Sequence, residues 1–237
     1  MNPFASLETR VCQEEEMDAA GLSDARYARV IGDLARINAL TLAARPTLAF
    51  FRRIARLRGA SGGPLRLLDV GFGHGDMLRR IARAAAKMGV PVDLVGVDLN
   101  RRSEAAARAA TSADLPIRYM TGDYRDLAGE SWDMIVSSLV THHMDDDERR
   151  EFLRFMEVEA SAGWLVNDLH RQRLPYVGYP TLATLALVDP IVRRDGQLSI
   201  ARSFRVNEWQ AMLADAGIIG ATARRWFPYR LCVERIK

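Results

Sequence analysis

Cysteine and lysine are almost absent from this sequence. Cys12 and Cys232 are the only cysteines and lie near opposite ends, so no metal-type or redox-type spacing is present. Only Lys87 and Lys237 are lysines, and the arginines are scattered along a chain of net charge +3, which favours a mixed-charge surface over nucleic-acid binding. No apolar run has the length of a membrane span, and the glutamates at 14–16 are unlike a signal peptide, so we expect a cytoplasmic protein.

The N-terminal quarter has the periodicity of helices. Behind Ser23, which can cap a helix, apolar residues recur at three- and four-residue spacing to about Leu42. A second amphipathic helix follows Pro46, and a loop rich in Gly and Ser occupies residues 59–64. We therefore expect residues 1–62 to form a helical cap or lid and the rest of the 237-residue chain to form one α/β domain.

From residue 65 onward, short apolar runs alternate with helical patterns. Strands are predicted at 65–70, 92–97, 117–121, 132–139 and 163–169, and helices at 75–88, 103–111 and 145–160. Strand and helix repeated in this way predict a parallel sheet with right-handed crossovers and helices on both faces.

Residues 171–203 break this rhythm. Three prolines with an apolar stretch between them predict a helical insertion over the carboxyl edge of the sheet. A last helix at 206–216 precedes two strands at 218–226 and 229–233, joined tightly at Pro228. These strands are expected to form an antiparallel hairpin that completes a mostly parallel, seven-stranded sheet over residues 63–237.

Residues 67–76, LLDVGFGHGD, form the most informative stretch, a strand followed by a glycine-rich turn and a helix start. Gly71 and Gly73 let the backbone pass close to a ligand, and Gly75 lets the helix pack tightly on the strand. The third glycine comes one residue earlier than in the dinucleotide fingerprint. Asp69 and Asp76 flank the turn, where they would repel a pyrophosphate. The turn therefore indicates a ligand with a cationic group, such as the ammonium of an amino acid.

Two further acids follow successive strands. Asp98 ends the second strand, where a carboxylate can accept hydrogen bonds from both ribose hydroxyls. Asp123 follows the third strand, where it could accept a hydrogen bond from an adenine amino group. Each acid alone is more typical of a turn or a helix cap. Three acids in order at successive strand ends favour a nucleoside site.

These motifs resemble those of the class I S-adenosylmethionine-dependent methyltransferases, over about residues 65–237, and especially the branch that acts on quinone, phenolic and polyketide-type small molecules. The turn at 69–75 is similar to the family's first motif, SWDMIV at 131–136 to its fourth-strand motif, and HHM at 142–144 to the His-His-Leu stretch that often follows. The resemblance implies a Rossmann-like fold with S-adenosylmethionine as the cofactor. It implies that the cofactor is held by Asp69, Gly71, Phe72, Gly73, Gly75, Asp98, Leu99, Asp123, Tyr124 and Ser138.

Three histidines follow the fourth and fifth strands, beyond which the substrate of an open α/β sheet is expected to bind. Histidine titrates near neutral pH and can remove a proton from an oxygen acceptor. We expect His170 to act as the acid–base or orienting residue, with His143 as the close rival and His142 as a third candidate. Arg171 could hold an anionic or phenolic oxygen. All four residues are also typical of purely structural positions.

The sequence supports a metal site less than it supports a nucleoside site. Asn167 and Asp168 could supply half of a Mg²⁺ site after the fifth strand, but the fourth strand ends in Ser137 and Ser138 without a carboxylate. We therefore expect no metal.

The cap and the insertion together are expected to enclose the acceptor. Their apolar and aromatic side chains could line a pocket for an aromatic or lipid-like acceptor, and the same set is typical of a plain core or of a homodimer contact. The side chains are Phe50, Phe51, Tyr176, Tyr179, Leu182 and Leu185.

The sequence thus predicts methyl transfer to a small-molecule acceptor, and the resemblance places O-methylation of a phenolic, quinone or polyketide-like metabolite first. Carbon and nitrogen acceptors remain open. Nucleic-acid methylation is less favoured, because residues 137–140, SSLV, lack the Asn/Asp-Pro-Pro-aromatic signature of exocyclic-nitrogen methylases. A non-catalytic cofactor-binding protein is disfavoured by the intact glycines and acids of the turn.

Overall fold

The computed structural model describes residues 7–18, 21–59 and 63–237. Seven strands form one sheet in the order β3-β2-β1-β4-β5-β7-β6. The strands are β1 (Leu65–Val70), β2 (Val92–Asp98), β3 (Ile117–Thr121), β4 (Trp132–Ser138), β5 (Ala160–Leu169), β6 (Thr222–Trp226) and β7 (Arg230–Ile236). Strands β1 to β5 pair in parallel, and β7 runs antiparallel to both β5 and β6. The predicted mostly parallel, seven-stranded α/β sheet is confirmed.

Eight α-helices accompany the sheet in the described part of the chain. They are α1 (Asp24–Leu40), α2 (Arg45–Arg58), α3 (Asp76–Met88), α4 (Arg101–Ala109), α5 (Asp146–Glu159), α6 (Arg173–Leu185), α7 (Pro190–Arg202) and α8 (Val206–Asp215). Short 3-10 turns occupy Glu16–Asp18 and Tyr124–Leu127. The predicted helical insertion after β5 is the pair α6 and α7.

Two helix starts follow from capping residues that are visible in the sequence. Ser23 accepts a hydrogen bond from the Arg26 amide at the start of α1. Asp145 and Glu148 form a capping box at the start of α5, each side chain accepting from the other residue's backbone amide. Such a cap stabilises a helix by about 1 kcal/mol.

Apolar layers cover both faces of the sheet, as the alternation of side chains along β1 requires. On one face, Leu67 packs with Phe51 of α2 and Leu78 of α3. On the other face, Leu68 packs with a layer that includes Phe152 of α5 and other side chains of α5 and α8. Burying a side chain of this size contributes roughly 1.5–3 kcal/mol. These layers fix the ends of β1, β2, β4 and β5, where the polar residues gather.

The N-terminal helices pack on the main domain. Phe51 of α2 lies in the sheet's own core layer, and Val30 of α1 joins Ile191 and Val192 of α7 in a smaller cluster over the carboxyl edge. The Asn167 side chain on β5 donates hydrogen bonds to the Ala43 carbonyl and to Thr47 Oγ1, at 2.8 and 3.0 Å. Of the predicted cap at 1–62, residues 1–6, 19–20 and 60–62 lie outside the described residues, and so does part of the predicted 59–64 loop.

Among the described residues, every helix is too short or too polar for a bilayer crossing.

Candidate active site

A cavity of about 450 Å³ lies over the carboxyl ends of β1, β2, β4 and β5. Its floor is the glycine turn after β1 and the loops after the other strands. Its roof is the segment before α1 together with α1, α6 and α7. The volume falls in the range of small-molecule sites, and the position is the one expected for a ligand of an open α/β sheet.

Gly71 ends β1 in the left-handed backbone region, with φ +77°. A Cβ there would lie 2.2 Å from Val140 Cγ2, so the loop after β4 approaches the turn as closely as glycine allows. Gly75, at φ +73°, lies similarly close to the Tyr119 ring of β3, because a Cβ at Gly75 would lie 2.4 Å from the Tyr119 hydroxyl. The two glycines therefore bring β4 and β3 against the turn. Gly71 lines the cavity and Gly75 supports it from behind.

Three carboxylates meet at the turn. Asp98 at the end of β2 accepts hydrogen bonds from the Gly73 and Asn100 amides, at 2.9 and 2.8 Å, and burial raises its pKa. Asp69 is buried, its Oδ2 has no hydrogen-bond partner in the described chain, and burial together with Asp76 and Asp98 raises its pKa. Only Asp76 has a cation beside it, the Arg80 guanidinium at 3.4 Å. The excess of buried negative charge fits a cationic ligand.

The remaining predicted cofactor residues divide between the cavity wall and its surroundings. Phe72, Gly73, Leu99, Tyr124 and Ser138 all line the cavity. The Tyr124 ring stacks edge-on against Phe152 and Phe155 with centroids 4.9 Å away, and burial and Glu151 raise its pKa to about 12. Tyr124 is therefore a neutral, fixed aromatic wall.

Asp123 lies outside the lining of the cavity. Its carboxylate caps the turn that follows it, accepting from the Arg125 amide at 2.9 Å, and it pairs with the Arg125 guanidinium, which lowers its pKa. Its neighbours Gly122 and Tyr124 line the cavity, and a contact of Asp123 with the adenine amino group stays a prediction.

His142 and Asp168 form a buried pair on the acceptor side of the cavity. His142 Nδ1 lies 2.8 Å from Asp168 Oδ1, and Asp168 also accepts hydrogen bonds from Thr141 Oγ1 and the Leu169 amide. The other ring nitrogen lies 3.5 Å from Glu15 Oε1. Burial alone would lower the pKa of His142, but the two carboxylates outweigh it and raise that pKa to about 9. The ring is therefore a cation at neutral pH.

His143 adjoins this pair and has the opposite character. Its side chain is 32% exposed and lines the cavity, with Nε2 3.7 Å from Glu15 Oε1. Burial and the charge of His142 lower the pKa of His143 to about 4. The ring is therefore neutral at neutral pH and can accept a proton.

His170 lies away from the cavity, contrary to the prediction that it faces the acceptor. It is buried, its backbone bridges to Phe204, and its surroundings carry Arg205 and Arg225. Burial and these two arginines lower its pKa to about 4. Successive side chains of a strand point to opposite faces, and at the end of β5 Asn167 and Leu169 line the cavity whereas His170 does not.

Arg171 is likewise engaged elsewhere. Its guanidinium donates to the Ser203 carbonyl at 2.6 Å and to the Leu7 carbonyl at 2.9 Å, and it pairs with Glu208. It holds the N-terminal segment and α8 to the loop after β5. A different arginine, Arg230 at the start of β7, lines the cavity.

Among the described residues, one group of side chains could hold a metal ion. Glu15, His142 and His143 each offer an atom within 4.8 Å of the other two. Glu15 already accepts a hydrogen bond from Ser199 Oγ at 2.7 Å and lies 3.8 Å from the Arg202 guanidinium. Burial opposes the ionisation of Glu15, but its contacts with His142 outweigh that and lower its pKa. The cluster is thus charge-compensated by protein groups.

Of the six side chains predicted to line an acceptor pocket, Tyr179 alone does so. Phe50 and Phe51 belong to the core layer beneath α2, which is the alternative that the sequence left open. Leu185 is 76% exposed. The cavity wall around Tyr179 is instead completed by Ile37 of α1 and Ile200 of α7.

Comparisons with known proteins agree with this geometry. A family model described as a methyltransferase domain matches residues 67–158, which include the glycine turn, Asp98, His142 and His143. Over these residues the chain is similar to a methyltransferase domain. Its cofactor is S-adenosylmethionine, and the unpartnered Asp69 oxygen and the three acids at the turn fit a ligand that carries both a sulfonium and an ammonium group.

Part of the chain is similar to a curated polyketide synthase. Over 112 residues the chain is 30% identical to the non-reducing polyketide synthase azaA of Aspergillus niger. The match covers 43% of this chain and 4% of that protein, so the chain spans only a small part of the relative's length.

Solved structures resemble this chain over most of its length. The plantazolicin methyltransferase BpumL, in complex with a triazolic desmethylPZN analog and SAH, has a TM-score of 0.63 at 13% identity, with 87% of this chain and 90% of that chain covered. The magnesium protoporphyrin IX methyltransferase of Synechocystis PCC 6803, with bound SAH, has a TM-score of 0.54 at 15% identity, with 92% and 90% covered. At these identities the likeness establishes the fold.

Proposed function

We propose that this chain transfers the methyl group of S-adenosylmethionine to a small-molecule acceptor, with the oxygen of a phenolic, quinone-derived or polyketide-like metabolite as the first candidate. The observation that carries the proposal is the cavity itself. Its acidic end adjoins the glycine turn, and its other end is an apolar chamber with a neutral histidine on the wall.

Each residue at the acidic end has a role that follows from its position. Asp98, with two backbone amides on its oxygens, is oriented to accept from the ribose hydroxyls. Gly71 and Gly73 give the ligand access to the backbone, and Asp69 supplies the negative field for the ammonium and sulfonium groups. Tyr124 and Leu99 flank the cavity where a flat base would lie.

When bound, S-adenosylmethionine supplies an activated methyl group, so the protein has mainly to position the acceptor and remove its proton. His143 is the proposed base: it accepts the acceptor hydroxyl's proton as that oxygen takes up the methyl group. The imidazolium that results is stabilised by Glu15, 3.7 Å away. His142 is already cationic and cannot accept a proton, so it orients Glu15 and His143 while Asp168 holds it in place.

The acceptor class rests on the chamber and on the relatives. The chamber wall is aliphatic and aromatic around Tyr179, Ile37 and Ile200. The curated match is a polyketide synthase, and the solved relatives act on or bind small organic molecules by their names. An aromatic or polyketide-like acceptor fits this wall.

The test is incorporation of label from S-adenosylmethionine that carries a deuterated methyl group. The purified chain is incubated with phenols, hydroquinones, aromatic amines and 1,3-dicarbonyl compounds, with a nucleic-acid oligomer in parallel, and products are read by mass spectrometry. We expect a methyl ether from at least one phenolic or enolic compound. Fragmentation locates the methyl group, so a C- or N-methyl product contradicts the choice of oxygen. Binding of S-adenosylhomocysteine without transfer to any compound contradicts the enzymatic proposal.

A further inference from the structure

Arg230, the first residue of β7, has a buried guanidinium on the wall of the cavity. The residue is 4% exposed and pairs in register with Leu169 at the end of β5. Nη2 donates a hydrogen bond to the side-chain oxygen of Asn38 on α1, at 2.9 Å. Nη1 is buried and has no hydrogen-bond partner among the described residues.

The carboxylates around this guanidinium are committed to other groups. Asp168 accepts from Thr141, His142 and Leu169, as described above. Asp76 pairs with Arg80, and Asp195 accepts hydrogen bonds from the backbone amides at 16 and 17. Within the described chain, Arg230 makes no ion pair with any carboxylate. Among the described residues, the hydrogen-bond partner of the guanidinium is the neutral side-chain amide of Asn38.

A buried cation without an anion is costly, and arginine cannot escape the cost by losing its proton under ordinary conditions. Burial lowers the pKa of Arg230, as expected for a charge removed from water. The guanidinium also presents donors that match a carboxylate in both charge and shape. The simplest explanation of this site is therefore that an anionic ligand pairs with the Arg230 guanidinium.

We propose that Arg230 is the anion-binding residue of the acceptor chamber and that the acceptor carries a carboxylate beside its methylated group. This inference rests on the proposed function, because it assigns the partner of Arg230 to the acceptor. Asn38 positions the guanidinium from α1, so the roof and the sheet edge meet at this contact.

The alternative source of a carboxylate is the methionine part of the cofactor, which would bind near the glycine turn. In the sheet, β4 and β5 lie between β7 and β1, the strand that carries the glycine turn. Three strand spacings amount to ~14 Å. The backbone of Arg230 thus stands three strands from Gly71 and Asp69, whereas Asp76 at the start of α3 is near enough to the guanidinium to oppose the lowering of its pKa. The affinity of R230Q for S-adenosylhomocysteine distinguishes the two sources of the carboxylate.

The experiment measures binding rather than turnover. The chain is saturated with S-adenosylhomocysteine and titrated calorimetrically with matched pairs of a carboxylic acid and its primary amide: 2,4-dihydroxybenzoate with 2,4-dihydroxybenzamide, 6-methylsalicylate with its amide, and an alkylresorcylic acid with its amide. We expect at least one acid to bind about tenfold or more tightly than its amide. In R230Q that preference disappears, whereas R230K retains part of it.

The matched control is R225Q, which removes one charge from an exposed position on the neighbouring strand and should preserve the preference. Equal binding of acid and amide in every pair, including no binding of either, overturns the proposal. A loss of S-adenosylhomocysteine affinity in R230Q also overturns it, because the partner is then the cofactor's carboxylate. If R230Q does not fold, R230K and the acid–amide comparison on the unaltered chain decide the question. Because no methyl transfer is measured, the acid preference can hold or fail independently of the proposed activity.

Discussion

The Nδ1 atom of His142 lies 2.8 Å from Oδ1 of Asp168, and both side chains are almost completely buried at the ends of neighbouring parallel strands. The adjacent strands β4 and β5 bring together two residues that are 26 positions apart in the chain. Because Glu15 approaches the ring from the opposite side, the imidazolium is held between two carboxylates. The charge state of this ring therefore depends on the folded structure, and stability should depend on pH.

We expect the free energy of unfolding to fall as pH rises through the alkaline range. The folded pKa of His142 is about 9 against an ordinary value of 6.5, so its contribution is complete below pH 6.5 and is lost as pH rises towards 9. A shift of this size corresponds to roughly 3 kcal/mol. Urea unfolding of the wild type and of H142Q between pH 6 and 9.5 measures it, because the variant lacks this titration.

His143 provides an internal contrast for that measurement. The pKa of His143 in the folded protein is lowered to about 4, so its titration decreases the free energy of unfolding only as pH drops below 6.5. This pH range does not overlap with the range in which His142 titrates. A wild-type stability curve parallel to that of H142Q between pH 6.5 and 9 would contradict the assignment of a buried imidazolium.

Cofactor affinity should depend on Asp98 much more than on Asp123. D98N weakens the acceptor that faces the ribose hydroxyls and is expected to cost about 1–3 kcal/mol in binding of S-adenosylhomocysteine. D123N is the matched control, because the Asp123 carboxylate is paired with Arg125 outside the cavity lining. Isothermal titration of both variants decides the matter, and an equal or larger loss in D123N would show that Asp123 contacts the cofactor after all.

Turnover should depend on His143 and not on His170. H143Q removes the proposed base and is expected to lower kcat by 10²–10⁴-fold on an oxygen acceptor, with little change in affinity for S-adenosylhomocysteine. H170Q, which replaces a buried ring outside the cavity, serves as the control and should retain most of the turnover after correction for any loss of folded protein. Near-wild-type kcat in H143Q would mean that positioning alone drives the transfer.

The close approach at Gly71 predicts a steric effect that a second substitution relieves in part. G71A places a methyl group 2.2 Å from Val140 Cγ2 in a backbone conformation at φ +77°, so we expect lower thermal stability and weaker cofactor binding. G71A/V140A removes the collision and leaves the backbone strain of about 1 kcal/mol. G73A separates the two effects, because Gly73 has positive φ but nothing within 4 Å of a Cβ. Equal losses of thermal stability in G71A and G73A, measured without cofactor, would contradict the steric explanation.

The sheet and the cofactor end of the site were predictable because their signals are local. The run LLDVGFGHGD encodes a strand, a turn and a helix start within ten residues, and Asp98 ends a strand that is visible as an apolar run. Asp123 shows the limit of this logic. Its position after β3 is as expected, but Arg125, two residues later, captures its carboxylate.

The acceptor end depends on contacts that no short stretch of sequence contains. Glu15 reaches His142 across 127 positions of chain, and Arg230 meets Asn38 across 192. The histidine after β5 looked equivalent to those after β4, yet the side chain of His170 lies outside the cavity lining and is buried near Arg205 and Arg225. The pairing of His142 with Asp168 had a usable signal, since polar residues at the ends of adjacent parallel strands are neighbours in space.

The cavity has two halves of different origin. Its floor comes from loops at the ends of a sheet that has a core layer on each face, whereas its roof comes from the N-terminal segment, α1, α6 and α7. Substitutions in the roof can therefore reshape the chamber while the glycine turn and its acids stay unchanged. Acceptor preference in this chain should be open to redesign by exchanging roof residues such as Ile37, Tyr179 and Ile200, with little loss of affinity for S-adenosylmethionine.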